Sequence, residues 1–377
     1  MTAQKTLIID DAIPYAKQIF SHLGKVITLP GKSIDAQSVK DAYALIVRSR
    51  TQVNESLLKG SNIQFVGSTV VGLDHIDQNY LENNNIHFYS AQGCNANSVA
   101  EFIITALFDL AEHLGFELKN KTLGIIGVGH VGSLVHQKAK ALGMTCLLND
   151  PPRQRLENNL PEQFVDLDHC LQADIITFHT PLTTEGEDAT FDLLSAKRLE
   201  KIRPDQIIIN AARGGIINEY AWSQIETLAN IIDCWVEEPK ISETLYNTAY
   251  LATPHIAGHS LDAKVAGSEM VYKALCDFWQ TDPQSEWQNS LPPPPAQITM
   301  SKNRSEQTEL SQLLNKTHNI HKDDQAIRGD SISEVHRKYE YYRRNFPIYR
   351  EWQHHTINVT NNAKLSKLLK SLNFSIV

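Results

Sequence analysis

Short apolar runs punctuate the first ninety residues: Thr6–Ile9, Val26–Leu29, Ala44–Val47, Ile63–Val66 and Ile86–Tyr89. Each is rich in Ile, Val, Leu or aromatic side chains, and a connection of helix or loop size separates it from the next. That rhythm predicts a parallel sheet with helices on its faces. A longer helix comes next. Ser98-Val99-Ala100-Glu101 has the S-x-x-E form of a capping box, and the apolar stretch behind it runs to about Leu114. A second α/β series then begins, with a strand at Thr122–Ile126, a glycine turn at Gly127–Gly132 and a helix at Val131–Leu142. Strands at Thr145–Leu148, Ile175–Phe178, Ile207–Asn210 and Ile231–Trp235 continue it, and residues 260–281 read as a further helix. Two α/β units in one chain predict a cleft between domains, a common place for ligands.

The pattern changes at Pro292–Pro295, a run that neither a helix nor a central strand accommodates. Beyond it lie two or three helical patterns, one of them basic and aromatic (His336–Tyr349), and strand-like stretches at Thr356–Val359 and Phe374–Val377. With 377 residues, 42% hydrophobic and 21% charged, the chain is that of a soluble globular protein of two or three domains. A net charge of −8 argues against a nucleic-acid surface. The five cysteines are scattered and never form CxxC, so neither a disulfide framework nor a cysteine zinc site is expected, and no metal. The start, MTAQKTLIIDD, lacks a signal-peptide profile, and no stretch approaches the ~20 apolar residues of a membrane span. The expectation is a cytoplasmic protein with no membrane partner.

Gly127-Val128-Gly129-His130-Val131-Gly132 is a G-x-G-x-x-G, a weak signal by itself. Here it follows a predicted strand, opens a predicted helix and leads to Asp150 at the end of the next strand, which is the context a dinucleotide-binding turn requires. Gly127 permits the tight turn, Gly129 lets the backbone approach the pyrophosphate, and Gly132 lets helix and strand pack. The N–H groups near His130 and Val131 face the phosphates. Asp150 accepts hydrogen bonds from the adenosine ribose, and its charge repels a 2′-phosphate, favouring NAD; Arg153 and Arg155 close behind weaken that preference.

Three further residues follow strand ends: Arg213 in Asn210-Ala211-Ala212-Arg213-Gly214, Glu238 in Asp233–Pro239, and His255 in Thr253-Pro254-His255-Ile256-Ala257-Gly258. Oxidation of a 2-hydroxy acid needs a base for the hydroxyl proton, a carboxylate to orient that base, and a guanidinium fork for the substrate carboxylate. His255, Glu238 and Arg213 supply one of each. Singly, each has a plainer reading as a solvated histidine, an acidic loop or a turn with an exposed charge. Together, on a nucleotide fold, they point to chemistry.

At these residues the sequence resembles the D-2-hydroxyacid dehydrogenase family, whose segments GVGHVG, Asn-Ala-Ala-Arg-Gly, Asp233–Pro239 and Pro-His-Ile-Ala-Gly occur here in the family's order. The resemblance implies an NAD enzyme with Arg213, Glu238 and His255 as its catalytic set. Its cofactor contacts fall on His130, Val131, Asp150, Thr180, Ala211, Ala212, Arg213, Asp233 and Gly258. A narrower resemblance, to a branch with an extra C-terminal dimerisation domain, rests on Val47-Arg48-Ser49, Val53–Leu58, Gly93–Ala96, Asp150–Arg153, Phe178–Pro181 and Arg350-Glu351-Trp352. It implies a small phosphorylated 2-hydroxy acid as substrate and a homodimer. Ser49 is then a substrate contact; Arg48 and Arg50 flank it and, on charge alone, are candidates for the phosphate, with caps of a strand end in solvent as the plainer reading. Two positions depart from the pattern: Val70 stands where a threonine-type contact is expected, so that either Ser68 or Thr69 takes over or the hydrogen bond is absent, and His259 stands where a tyrosine is expected. The implied architecture is α/β: a flavodoxin-like substrate domain (1–95), a Rossmann-type NAD domain (96–256) of doubly wound parallel sheet, a return helix (257–285), and a C-terminal α+β dimerisation domain (286–377). The rivals are a relative acting on 3-phosphoglycerate or hydroxypyruvate, and an NAD-sensing binding protein without catalysis.

Overall fold

The structure, a computed structural model, describes residues 5–156, 163–300, 304–359 and 362–377. The chain packs as two compact units, one running to Asn95 and including Leu261–Pro293, the other made of Ala96–Ser260 and Pro294–Val377.

The first unit holds five parallel strands, β1 (Thr6–Asp10), β2 (Lys25–Leu29), β3 (Ala44–Val47), β4 (Phe65–Ser68) and β5 (His87–Ser90), in the order β2-β1-β3-β4-β5. This is the flavodoxin-like order. Because strand side chains alternate, Leu7, Ile9 and Ile46 pack on one face against Phe20 and the helix Leu261–Trp279, while Ile8, Leu45 and Val47 pack on the other against Val39, Leu57 and Leu81. The predicted run at Ile63–Val66 lies two residues early. Gly67 and Ser68 belong to the strand although neither is a strand former, since β4 pairs on both sides, with β3 and with β5.

The second unit carries β6 (Thr122–Ile126), β7 (Thr145–Asn149), β8 (Ile175–Phe178), β9 (Ile207–Asn210), β10 (Ala229–Ile232) and β11 (Ala249–Ala252), all parallel, in the order β11-β10-β9-β8-β6-β7. A single parallel bridge between Leu148 and Phe164 extends the sheet beyond β7. Counting it as a vestigial strand restores the Rossmann order, with its switch point between β6 and β8 above the glycine turn. The sequence pattern overruns β10 by three residues, and it misses β11, whose four residues directly follow the helix Glu243–Thr248.

The capping-box reading at Ser98 is corrected. The helix spans Ala96–Leu114, starting two residues earlier, and Ser98 lies inside it. Its hydroxyl donates to the Ala257 carbonyl at 2.9 Å and lies 2.6 Å from the Tyr349 hydroxyl. The Glu101 carboxylate accepts from Trp352 N–H at 3.1 Å and from Asn97 at 2.8 Å. The helix is buried on nearly all sides, so these polar groups find tertiary partners instead of capping.

After Pro294 come the helices Glu306–Thr317, Ile320–Ile327, Ile332–Arg344 and Ala363–Ser371, with a small parallel sheet β12 (Ile298–Thr299), β13 (Thr356–Asn358) and β14 (Ser375–Ile376). The basic, aromatic pattern predicted to reach Tyr349 is helical only to Arg344. Pro347 has no N–H to give a helix and disfavours helical geometry just before it. Leu310, Leu313, Leu314 and Trp352 share one core with Phe102 and Leu107 of the helix Ala96–Leu114. Among the described residues, no helix is long and apolar enough to cross a membrane.

Candidate active site

Six strand ends of the second unit converge on the candidate residues. Gly127 follows β6, Asp150 follows β7, Thr180 lies just past β8, Ala211–Arg213 follow β9, Asp233 and Glu238 follow β10, and His255 follows β11. The carboxyl edge of an open parallel sheet is where such folds bind ligands.

Gly127 has φ +85°, and a Cβ there would lie 2.8 Å from the His179 carbonyl carbon and the Thr180 nitrogen. A Cβ on Gly132 would meet the Gly127 carbonyl oxygen at 2.0 Å. Only glycine fits either place. At Gly129, by contrast, a Cβ would meet nothing within 4 Å, so the space above the turn is open. The helix His130–Ala141 starts there with no side-chain cap, which leaves first-turn N–H groups for an anion. The Thr180 hydroxyl and His179 Nδ1 are buried without a hydrogen-bond partner. An open approach, uncapped donors and an orphaned hydroxyl all fit a dinucleotide. Burial lowers the His179 pKa to about 3, so that imidazole is neutral.

The two arginines that blurred the NAD preference are engaged elsewhere. Arg153 Nη1 donates to the Val128 carbonyl at 2.8 Å and lies 3.3 Å from Ser133 Oγ, bracing the glycine turn. Arg155 pairs with Asp188 and Glu187. Asp150 accepts from Val128 N–H at 2.8 Å and Arg153 N–H at 2.9 Å, which fixes its carboxylate beside the turn. Asp150→Ala is expected to lower the preference for NAD over NADP about tenfold, as steady-state kinetics with both cofactors would show; unchanged discrimination would remove Asp150 from the ribose site.

Glu238 and His255 form a dyad. His255 Nδ1 lies 3.0 and 2.9 Å from the two Glu238 carboxylate oxygens, and Trp235 N–H donates to the same carboxylate at 3.0 Å. Burial pushes the Glu238 carboxyl up, but His255 and these donors outweigh it, and its pKa is lowered. His255 itself sits at φ +54°, an uncommon conformation for a non-glycine residue, and Asp233 holds its loop there. The Asp233 carboxylate accepts from Thr253 Oγ1 at 2.7 Å, Ile256 N–H at 2.7 Å and Ala257 N–H at 3.1 Å. A residue expected to touch cofactor is thus also the buckle of the catalytic loop. Burial still raises its pKa, against the pull of His255 and these donors. The half-buried Arg213 donates from Nη1 to the Ala212 carbonyl at 2.7 Å, and Asn210 holds the Arg213 carbonyl at 3.0 Å. Cys234 Sγ, a Glu238 oxygen and a His255 ring nitrogen lie within 4.8 Å of one another, but burial drives the thiol pKa well up, which keeps it a poor metal ligand.

Sequence reasoning missed three groups near this dyad. Glu219 accepts from Val236 N–H at 2.8 Å and has its pKa raised to about 7 by burial and by Glu238 and Glu237. Tyr339 and Arg343 come from the helix Ile332–Arg344; Arg343 Nη1 lies 3.9 Å from Glu238. The basic, aromatic pattern of that helix was their only trace. His259 packs edge-on to Phe346, with ring centroids 6.0 Å apart.

In the first unit, Ser49 is exposed past the end of β3, and Val70 is half-buried. The neighbours expected to compensate for Val70 turn inward: Ser68 Oγ lies 3.2 Å from the Val70 carbonyl and Thr69 Oγ1 3.4 Å from the Val47 carbonyl. Arg48 donates to the Ala12 carbonyl at 3.3 Å. Burial and the Arg48 charge lower the Lys264 pKa to about 8, so two cations share this neighbourhood.

Residues 102–257 match the family described as D-isomer specific 2-hydroxyacid dehydrogenase, NAD binding domain, and residues 290–372 match a domain of unknown function, DUF3410. The erythronate-4-phosphate dehydrogenase of Hydrogenovibrio crunogenus is 58% identical over 377 residues, covering 100% of both chains. That of Ruthia magnifica is 49% identical, over 92% of this chain and 96% of its own. A solved structure of NAD-bound 3-phosphoglycerate dehydrogenase from Entamoeba histolytica is 26% identical, with a TM-score of 0.62, over 74% of this chain and 96% of that one.

Proposed function

This chain belongs to the erythronate-4-phosphate dehydrogenases, and we propose that it oxidises 4-phospho-D-erythronate at C2 to (R)-3-hydroxy-2-oxo-4-phosphooxybutanoate, in the biosynthesis of pyridoxal 5′-phosphate. The observation that carries the substrate is the 58% identity along the whole length, which includes the C-terminal segment. The site is suited to the reaction. NAD, when bound, accepts the hydride that leaves C2. With Nδ1 engaged by Glu238, His255 takes the C2 hydroxyl proton on Nε2, and Glu238 stabilises the imidazolium that forms. Arg213 holds the substrate carboxylate. We assign Ser49 and the cations Arg48 and Lys264 to the substrate's phosphate end, with Val70 and His259 as the positions that set its fit.

The test is to incubate the enzyme with NAD and, in turn, 4-phospho-D-erythronate, 3-phospho-D-glycerate and glycerate, with a 2-keto acid present to reoxidise retained NADH. Turnover on the four-carbon phosphate at least about tenfold faster than on the others is expected. Faster turnover of 3-phospho-D-glycerate would favour the rival suggested by the Entamoeba structure.

The protein is further read as a cytoplasmic homodimer. None of its five cysteines forms a disulfide, and Tyr341 and Ile348 of the C-terminal segment are 72% and 74% exposed, large apolar groups suited to an interface. Light scattering of the full chain is expected to give the mass of two copies, and Ile348→Glu to shift it toward one. An unshifted dimer would place the interface elsewhere.

A further inference from the structure

The segment that matches a domain of unknown function reaches the catalytic dyad. On the helix Ile332–Arg344, Tyr339 and Arg343 are four residues apart and so share a face. Arg343 Nη1 lies 3.9 Å from Glu238 Oε2, on the carboxylate that orients His255. Tyr339 is 1% exposed, and its hydroxyl is buried with no hydrogen-bond partner. Three residues beyond Arg343, Phe346 packs against His259. One helix and the turn after it therefore back both Glu238 and the loop that carries His255 and His259.

We propose that Arg343 is a positioning residue for the reaction: its guanidinium holds the Glu238 carboxylate in the orientation that fixes His255, and its charge opposes protonation of that imidazole. The proposal rests on His255 being the base. Glu238 would otherwise face only negative or neutral company from its own side of the fold. Glu219 repels it, Cys234 is held as a thiol, and Asp233 lies across the His255 loop. Among the described residues, Arg343 and Arg213 are, beside His255, the cations that bear on this cluster. Because Arg213 serves the substrate carboxylate, Arg343 is the one left to balance Glu238 throughout the cycle. Tyr339, burying its ring beneath the cluster, excludes water from the pair and strengthens it.

The sign of the effect follows from charge. Oxidation needs neutral His255, so acid that protonates the imidazole lowers the rate. A nearby cation disfavours a second positive charge. Removing it eases protonation of His255 and moves the acidic limb of the rate profile to higher pH. The experiment is to measure kcat and kcat/KM against pH for wild type, Arg343→Gln, Arg343→Met and Arg343→Lys, in the full-length enzyme. In parallel, the His255 imidazole is titrated by NMR, which needs no substrate. The expected upward shift for the Gln and Met variants is about half a pH unit, which is about a threefold loss of rate on the acidic limb. The KM for NAD stays within about twofold, and lysine restores most of the profile. Met keeps the apolar stem, so it covers the case in which the Gln variant fails to fold. An unmoved limb with an unmoved NMR titration overturns the proposal, as does a lysine variant displaced as far as the glutamine one, since a merely structural arginine would give either result. If His255→Gln retains the same acidic limb, it is the assignment of the base that fails. The NMR titration still reports whether Arg343 acts on His255.

Discussion

Replacing His255 with alanine is expected to lower kcat about 10³-fold while NADH binding, read by bound-cofactor fluorescence, stays within about twofold. The size follows from what the imidazole does. The C2 hydroxyl is too weak an acid to lose its proton to water as the hydride departs, and a positioned base near neutral pKa is worth about 10²–10⁴-fold. His255 is positioned unusually firmly: Nδ1 is shared between both Glu238 oxygens at 3.0 and 2.9 Å, and the backbone is fixed at φ +54°. The Asp233 carboxylate still holds the loop through the Ile256 and Ala257 N–H groups when residue 255 is alanine, so the lost rate reports the side chain and not a collapsed loop. Glu238→Gln tests the same account more gently. An amide can still accept from Nδ1–H but cannot stabilise the imidazolium, so a smaller loss is expected. A His255→Ala enzyme of near-normal rate would remove the base from this residue and with it the proposed proton path.

How much of this was readable in advance depends on what kind of signal each residue leaves. The glycine turn was legible because only glycine tolerates its geometry, and the close approaches at Gly127 and Gly132 bear this out. The strand ends were legible to within two or three residues, because buried parallel strands read as continuous apolar runs. Where a strand used Gly67 and Ser68, or followed a helix with no turn between them as β11 does, that signal weakened. Ser98 misled for a physical reason. The same S-x-x-E spelling serves a cap on an exposed helix and a pair of tertiary anchors on a buried one, and only packing tells them apart. Arg153 and Arg155 sit next to Asp150 in sequence but turn to the glycine turn and to Asp188. Tyr339 and Arg343 were illegible as site residues, since they are about a hundred residues from Glu238 and no periodicity records a long-range ion pair.

Asp233→Ala is the other substitution from which a large effect is expected, on stability and rate together. The resemblance to dehydrogenases assigns this residue to the cofactor. The structure adds a heavier duty, since the 1% exposed carboxylate gathers the Thr253 hydroxyl and the Ile256 and Ala257 N–H groups. Alanine strands these three donors in the interior, at about 1 kcal/mol or more each. The loss of about 3 kcal/mol should lower the melting transition by roughly 5 °C or more. Relief of the buried charge offsets part of this, because burial keeps the Asp233 pKa raised in the fold. It does not replace the missing acceptors. The same three bonds set the path from Thr253 to Ala257, so His255 loses its fixed approach to Glu238 and kcat is expected to fall about 10²-fold. Asp233→Asn separates the two duties: its amide oxygen still accepts from Thr253 and Ile256, while its NH2 meets the Ala257 donor, so it should lose less stability than alanine. Calorimetry and NADH titration on both variants decide the matter. If alanine weakens NADH binding but leaves the melting transition and the His255–Glu238 pair intact, Asp233 is a cofactor ligand alone; if stability and turnover fall together, the loop is what it holds.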